Sequence, residues 1–511
     1  MPLRQFSREQ TWLLPPTLGE LIPDDHPARF VAAFVDVLDR SAWLELGIGP
    51  DGEALGAPAY HPRALLSVWL YGFMTGVRSC RKLEAACRDQ VPYLWLTGWQ
   101  HPDHNTLWRF YRDHRRQMRH LLKYTVATAV ESGLVDLALQ ALDGTKVAAN
   151  AAGDRTYDRA GLQRLLERTE AAIAELEAQN EGGTDPPPAR LPEELQQAKA
   201  LRWRVQDAMS RLGLNKGMGT VNLTDEDAQL MKGRSGIMPG YNAQTMVSPL
   251  GPEIAAGKTA LITAADVVDS ASDSAQLAPM LEQAEEVTGK RVHITLADGG
   301  YHTAASLEAG ERRGQLLVMG ERYQDSCTGP YFKDRFEYDA DSDSYTCPHG
   351  QRLPFRGSRR SKLTGLRSIR VYRASRTACR TCPAFGVCTR DKHCGRTLWI
   401  TSSDALLLKH REWMRSEEAR ALYARRREIS EPTFGILKDQ MNARRFLLRG
   451  LANVRAEFNL LATAFNLRTL RRVLGNFGRR SNRAKIGITD SLAKHTETCS
   501  DTGLTPAMAC C

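Results

Sequence analysis

Two apolar segments that each end in an aspartate followed by glycine constrain the fold of this chain more than any other feature. Residues 137–147 read Leu-Ala-Leu-Gln-Ala-Leu-Asp-Gly-Thr-Lys-Val, and residues 292–301 read Val-His-Ile-Thr-Leu-Ala-Asp-Gly-Gly-Tyr. Short apolar runs bounded by glycine predict buried strands, and glycine lets a ligand approach the backbone closely. The two segments therefore predict Asp143 and Asp298 at or near strand ends, where α/β sheets bind their ligands.

The elements around these segments predict an α/β fold. Helical periodicity at about 272–287 and 303–313 alternates with strand patterns at 239–247, 258–268, 292–297 and 315–320. The resulting order, β-β-β-α-β-α-β, is typical of a mixed sheet flanked by helices. We therefore predict the first part of a core domain at 134–320, interrupted by a helical hairpin at 158–215.

Composition and periodicity divide the remainder of the chain into four parts. Residues 1–133 read as helical, with the segment Val91–Gly98 as a connector between two helices. Residues 321–402 are rich in Tyr, Cys and Arg, which predicts a Cys-rich insertion with short strands. Residues 403–475 are helical and basic, and residues 476–511 lose their periodicity, which predicts a disordered tail.

The distribution of positive charge indicates a polyanionic partner. The formal net charge is +10, and arginines cluster at 109–119 and again between 411 and 485. Such clusters on predicted helices favour nucleic acid. Arg109 and Arg112 fit either a helix that reads DNA or an amphipathic helix with a basic outer face. No apolar run reaches the length of a membrane span and no signal-peptide pattern is present, so we expect a cytoplasmic protein without a membrane partner.

A third acid, Glu431, lies among cations in a helical segment. Arg427, Glu431, Gly435 and Lys438 follow one another at steps of four, four and three, which places them on one face of a helix. This face fits an acid that holds Mg²⁺ while cations hold a nucleic-acid backbone, although such a motif taken alone is more typical of a solvated face with ion pairs. Pro432 removes a helix donor, which predicts a kink or a helix restart there.

Asp143, Asp298 and Glu431 are far apart in sequence, and a sheet with a helix beside it would bring them to one edge. Three converging carboxylates repel one another unless divalent cations lie between them. Two Mg²⁺ ions bridged by such acids activate a water or a 3′-hydroxyl for attack at a phosphodiester. No Walker-type glycine-rich loop and no Ser-His-Asp order competes with this interpretation.

These residues carry a resemblance to bacterial insertion-sequence transposases of the Asp-Asp-Glu (DDE) superfamily, over nearly all of residues 1–475. Short motifs along the chain match the family's pattern, and the last of them is its Tyr-Arg-Glu-Lys signature. The motifs are Tyr60–Pro62, Ser79–Glu84, Pro102–Thr106, Leu142–Thr145, Pro239–Gln244, Ala297–Tyr301 and the set Tyr423, Arg427, Glu431 and Lys438. Tyr423 stands one residue farther from Arg427 than in the usual signature.

The resemblance implies a ribonuclease-H-like core in which Asp143, Asp298 and Glu431 are catalytic and hold two Mg²⁺ ions, for which Mn²⁺ can substitute. It implies that Arg427 and Lys438 contact DNA near the cleavage site. The expected reaction is cleavage at the element ends, followed by transfer of the 3′-hydroxyl into target DNA.

The partners that the resemblance implies are double-stranded DNA, as terminal inverted repeats and as target, and a second copy of the chain in the DNA complex. The expected location is the bacterial cytoplasm, in association with the nucleoid. Two alternatives stay open: a nuclease of the same fold without strand transfer, and a catalytically silent, transposon-derived DNA-binding regulator.

A separate group of cysteines lies in the predicted insertion. Cys379 and Cys382 are separated by two residues, and Cys347 and Cys388 could complete a tetrahedral set of four sulfurs suited to a structural Zn²⁺. Cys347 has no partner two residues away, so His349 or Cys394 are alternative ligands. Buried free thiols are an equally open interpretation.

Overall fold

The computed structural model describes residues 17–49, 59–181, 193–214, 219–233, 236–251, 260–321, 329–360, 368–391 and 393–480. All statements below concern these ranges, and residues 481–511 of the predicted tail lie outside them. None of the helices in these ranges combines the length and the apolar character that a membrane crossing needs.

The N-terminal region consists of seven helices within the described ranges. They are α1 Pro27–Asp36, α2 Arg40–Glu45, α3 Pro62–Thr75, α4 Cys80–Asp89, α5 Val91–Thr97, α6 His104–His114 and α7 His120–Glu131. The expectation that Val91–Gly98 is a connector is wrong, because Val91–Thr97 forms α5, which ends at Gly98 in the left-handed conformation with φ of 61°. Local signals bound α3 as well, since the His61 side chain accepts from the Arg63 amide and Gly76 ends the helix at φ of 80°.

The central sheet has six strands, all in the part of the chain predicted to form the core. They are β1 Leu139–Ala148, β4 Gln229–Gly233, β5 Gly236–Pro249, β6 Ala260–Val268, β7 Ile294–Ala297 and β8 Leu316–Met319. The order is β4-β5-β1-β7-β8, and β6 also pairs with β5. Strands β7 and β8 run parallel to β1, whereas β5 runs antiparallel to it. Helices α10 Leu277–Thr288 and α11 Ala304–Arg313 make the connections around β7.

Asp143 lies within a strand, which corrects the expectation that a strand ends near it. The parallel pairing of β1 with β7 stops at Leu142 opposite Ala297, but the antiparallel pairing with β5 continues to Ala148. Strand β1 therefore extends past Asp143 along one neighbour only. Asp143 is the first residue beyond the parallel ladder, as Asp298 is the first beyond β7.

A helical hairpin follows β1. Helices α8 Arg159–Glu181 and α9 Glu193–Leu214 pack on each other through an apolar cluster that includes Leu162, Val205 and Ala208. The two-residue strands β2 Thr156–Tyr157 and β3 Val221–Asn222 pair with each other at the base of this hairpin, outside the central sheet.

A second, antiparallel sheet occupies residues 337–401. Its strands are β9 Glu337–Asp339, β10 Ser344–Thr346, β11 Arg352–Arg360, β12 Ser368–Arg373 and β13 Thr397–Thr401, in the order β13-β12-β11-β10-β9. The short helix α12 Arg376–Arg380 lies between β12 and β13. The mixed α/β class and the helical N-terminal region agree with the sequence-based expectation.

The last described range, 393–480, contains three helices, α13 Asp404–Trp413, α14 Glu417–Gly435 and α15 Leu451–Arg480, and a π-helical turn at Ile436–Gln440 follows α14. Of the kink or helix restart predicted at Pro432, the restart is wrong, because α14 runs through Pro432 to Gly435. Its buried residues Ile429, Ser430, Thr433 and Phe434 keep the last turns packed, and this packing outweighs the loss of one helix donor.

Helix α15 joins the N-terminal helices to the central sheet. Its buried residues Val454, Phe458, Leu461 and Phe465 recur at steps of four, three and four, which gives one apolar face. The Arg78 guanidinium bonds the Glu457 carboxylate at 3.1 Å, and both side chains are almost fully buried, at 3% and 1% exposure. Glu457 also accepts from the backbone amides of Leu447 and Leu448 at 2.9–3.0 Å. A buried charge needs such partners, so this ion pair fixes the N-terminal region against α15.

Candidate active site

Asp143 and Asp298 lie side by side at one edge of the parallel part of the sheet. Leu142 of β1 and Ala297 of β7 form the last pair of the parallel ladder, and Asp143 and Asp298 directly follow them. Asp143 Oδ1 accepts from the Gly144 amide at 2.9 Å, and its Oδ2 accepts from the Ser430 hydroxyl at 3.1 Å and from Arg426 at 3.4 Å. Asp298 Oδ1 accepts from the Gly300 amide at 2.7 Å.

The environment of Asp143 disfavours its charged form. Burial raises the pKa of the Asp143 carboxyl, the Arg426 guanidinium opposes this rise, and the Asp298 carboxylate adds to it. A carboxyl with a raised pKa gains from the arrival of a cation, because the cation compensates both the desolvation and the repulsion between the acids.

A further carboxylate, Asp273, lies at the same place, and sequence reasoning missed it. Its Oδ1 accepts from Asn242 Nδ2 at 2.6 Å, from Gln244 Nε2 at 2.8 Å and from Lys146 Nζ at 3.3 Å. Asn242 and Gln244 are alternate residues of β5 and so share one face of the sheet. This polar pair in a buried strand is the signal that could have located the site, whereas Asp273 lies in a serine-rich loop without any pattern.

The glycines after the two predicted catalytic aspartates keep the space around Asp273 open. A Cβ atom at Gly144 would come within 2.5 Å of Gln244 Nε2 and 2.9 Å of Asp273 Oδ1. At Gly300, it would come within 2.9 Å of Asp298 Oδ1 and 3.2 Å of Asp273 Oδ2. The glycines are therefore required by close approach of side chains within the protein.

The Tyr301 hydroxyl completes this network by donating to Gln244 Oε1. Burial raises the pKa of Tyr301 well above its usual value, and Asp273, Asp143 and Asp298 add to the rise. Three carboxylates thus act on one buried phenol, which keeps its proton and remains a donor.

Helix α14 lies across this edge with a face that differs from the expected one. Arg426 and Ser430 contact Asp143, whereas Glu431 is 59% exposed and its Oε1 lies 3.9 Å from Arg427 Nε. Among the residues that the structure describes, no three His, Cys, Asp or Glu side chains already stand in a metal-binding arrangement. The structure therefore brings Asp143 and Asp298 together. Glu431 directly follows Ser430, which contacts Asp143, but the Glu431 side chain is turned to solvent.

The two cations of the predicted signature have different surroundings. Lys438 Nζ donates to Thr145 Oγ1 at 2.6 Å and to the Lys146 carbonyl at 3.2 Å, which ties the turn after α14 to β1. Arg427 is 79% exposed and lines a groove of about 610 Å³, which Gly299, the residue after Asp298, also lines. Arg415, Arg420 and Tyr423 line the same groove, whose wall is therefore strongly basic.

Arg109 and Arg112 lie on the exposed side of α6, whose other side is buried through Leu107 and Tyr111. Arg112 Nε bonds Asp113 Oδ1 at 2.7 Å, and both side chains are about half exposed. The Tyr111 ring stacks on Trp69 with 4.4 Å between centroids, so it serves packing. Helix α6 is therefore amphipathic, with its arginines on the exposed side.

Comparison with known families gives two matches. Residues 16–113 match a transposase domain (DUF772), and residues 346–471 match a transposase DDE domain. The two matches support an insertion-sequence transposase of the DDE type. No curated protein and no solved structure matches the chain. The second match contains Glu431 and the cysteine group of the second sheet, while Asp143 and Asp298 precede it. Family similarity therefore covers the N-terminal helices and much of the last third of the chain.

Proposed function

We propose that this transposase cuts DNA at the ends of its element and joins the released 3′-hydroxyl to target DNA. Asp143, Asp298 and Glu431 would be its catalytic acids. The observation that carries the proposal is the juxtaposition of Asp143 and Asp298 beyond paired residues of parallel strands, with the helix that bears Glu431 lying across them. Acids at such a sheet edge occupy the place where α/β sheets bind ligands.

The topology supports a ribonuclease-H-like core for this reaction. Strands β6 and β5 lie on one side of β1, with β5 antiparallel to it, and β7 and β8 follow on the other side in parallel orientation. The catalytic part would comprise residues 134–320 and 403–475, with 1–133 as a DNA-binding domain and 321–402 as an insertion.

The donor set fits two Mg²⁺ ions, which carboxylate oxygens bind preferentially. Bound there, the ions would activate the attacking oxygen and stabilise the leaving oxygen of the phosphodiester. Asp143 and Asp298 are in place, and Glu431 has to turn from Arg427 toward them. An exposed ion pair contributes only about 0–1 kcal/mol, so this turn costs little.

DNA binding would use the basic groove beside Asp298. Arg427 projects into it from α14 and would hold a backbone phosphate near the scissile bond, and Lys438 would stay near β1 and add positive potential. Arg109 and Arg112 on α6 would contact the terminal inverted repeats. Because two ends must be held together, we propose a homodimer in the DNA complex.

The test uses Asp143→Asn, Asp298→Asn and Glu431→Gln, which keep the side-chain shape and lose the charge. Each should lower Mg²⁺-dependent cleavage of a duplex carrying the element end by about a thousandfold, because several kcal/mol of transition-state stabilisation are lost. Binding of the same duplex should persist. The matched control is Asp269→Asn, because Asp269 is an exposed carboxylate near the loop that carries Asp273. This variant should cleave normally.

The same assay separates the alternatives. A precleaved end supplied with target duplex should yield a joined product with the parent protein. Cleavage without joining would indicate a nuclease, and binding without either reaction would indicate a silent regulator. Full cleavage by any of the three acid variants would remove that acid from the proposal.

A further inference from the structure

We infer that Cys347, Cys379, Cys382 and Cys388 form a structural site for one Zn²⁺ ion in the second sheet. All four line a single small cavity of about 20 Å³. Cys347 follows β10, while the other three lie between β12 and β13. A metal ion here would join two segments that come from opposite ends of the sheet.

Backbone amides point at two of the four sulfurs. The Gln351 amide donates to Cys347 Sγ at 3.2 Å, and the Arg396 amide donates to Cys379 Sγ at 3.3 Å. Hydrogen bonds of this kind from the surrounding backbone orient the side chains that hold a metal ion. The turn at Cys347 makes the first of these bonds possible, since the Gly350 amide returns to the Cys347 carbonyl at 2.8 Å and Gly350 has φ of 73°.

The structure selects among the ligands that the sequence left open. His349 also lines the cavity, but its Nε2 lies 3.0 Å from the Tyr331 hydroxyl and its ring stacks on Tyr331. Cys394 does not line the cavity, and its amide donates to Asp391. Cys388 lines the same cavity as the other three thiols, and the Arg396 guanidinium holds it by donating to its backbone carbonyl at 3.0 Å.

The need for a metal follows from the small core of this sheet. Its buried apolar cluster contains only six residues within the described ranges, one of which is Cys379: Phe336, Leu353, Tyr372, Ala374, Cys379 and Leu398. Small modules with so little buried surface are commonly stabilised by a metal. Since the four thiols are not yet in a metal-binding arrangement, they would lose their protons and converge as the ion binds. Four protein ligands leave no open position, so the ion would take no part in DNA chemistry.

The experiment measures zinc per chain by elemental analysis of the full chain, purified with a reductant and dialysed after addition of Zn²⁺. The parent protein should hold about one zinc, as expected for a closed four-sulfur site. Cys379→Ser/Cys382→Ser and Cys347→Ser/Cys388→Ser should both lose it. The matched controls Cys394→Ser and His349→Ala should keep it.

Substitution of Co²⁺ for zinc in the parent protein tests the ligands without any mutation. Four thiolates should give intense thiolate-to-cobalt charge-transfer absorption together with the visible bands of tetrahedral cobalt. Absence of stoichiometric zinc and of this absorption from the reduced parent would overturn the proposal, even if the cysteine variants fail to fold. Loss of zinc in either control, or its retention in either double variant, would overturn the proposed ligand set.

Discussion

The two parts of the candidate active site are held in opposite ways. At the sheet edge, Asp143 and Asp273 accept hydrogen bonds from buried or half-buried neighbours, and both are mostly enclosed, at 15% and 21% exposure. On α14, Glu431 and Arg427 are 59% and 79% exposed and contact each other at 3.9 Å. One part is fixed by the protein, and the other is free to move toward a ligand.

This difference in exposure determines which charged side chains of the site are destabilised in the absence of a ligand. Burial raises the pKa of Asp143 although Arg426 and Ser430 partner it, so its charged form is destabilised before any ligand arrives. The exposed residues on α14 cost almost nothing, because water solvates them. Ligand binding should therefore stabilise the charged aspartates at the sheet edge and reorient the side chains of Arg427 and Glu431 on α14.

The largest effect that would sharpen this comparison concerns Asp273. We expect Asp273→Asn to weaken metal-dependent cleavage by about 10–100-fold, the range seen when partners of metal ligands are removed. The reason is that Asp273 holds Lys146, Asn242 and Gln244 in place at the edge. Raising the Mg²⁺ concentration should restore part of the rate, while the control Asp269→Asn needs no extra metal. An unchanged metal dependence in Asp273→Asn would show that the edge is not fixed by this carboxylate.

An effect of intermediate size should distinguish Arg427 on α14 from Lys438 in the turn that follows α14. Neutralising Arg427 or Lys438 should each reduce the salt dependence of DNA binding by about one unit of slope. Only Lys438→Met should also lower the free energy of unfolding, by about 1–3 kcal/mol, because it leaves the Thr145 hydroxyl and the Lys146 carbonyl without their donor. Denaturant titration beside binding at several salt concentrations measures both. Equal destabilisation by Arg427→Gln would remove the distinction between a fixed and a free part.

The smallest expected effect is a change in thermal stability of Asp143→Asn in the absence of metal ions. The raised pKa of Asp143 means that the native state holds this proton more tightly than the unfolded state does. Its contribution to stability is fully present below the unfolded value of about 3.9 and is lost as the pH rises through the raised folded value. Asp143→Asn should therefore be more thermostable than the parent at neutral pH in chelator, by a margin that shrinks toward acidic pH.

Thermal unfolding of the parent, Asp143→Asn and Glu431→Gln at several pH values checks this expectation. Glu431→Gln should match the parent at every pH, because Glu431 is exposed. Mg²⁺ should raise the melting temperature of the parent more than that of Asp143→Asn. A less stable Asp143→Asn at neutral pH would mean that its bonds to Arg426 and Ser430 outweigh the cost of burial.

Local sequence determined much of the fold. The apolar periods of residues 137–147 and 292–301 located β1 and β7, and the pattern around Arg427 and Glu431 located a helix that does form. These predictions held because hydrophobic periodicity, and the residues that begin or end a helix or strand, act over one or two helical turns or a few strand residues. The connector prediction for Val91–Gly98 missed local helix signals, since Pro92 stands in the first turn of α5 and Gly98 ends it in the left-handed conformation. The helix restart predicted as one outcome at Pro432 was wrong, since packing of the last turns of α14 overrode local preference.

Tertiary structure alone decided how the candidate sites are composed. Ser430 meets Asp143 across 287 residues, and Lys438 meets Thr145 across 293. Which face of α14 contacts the sheet depends on its buried residues Ile429 and Phe434, and a rotation by one residue exchanges Ser430 for Glu431. The spacing of acids and thiols predicted which side chains are candidates for catalysis and for metal binding. Which side chains meet was decided by contacts between distant segments, which no local pattern encodes.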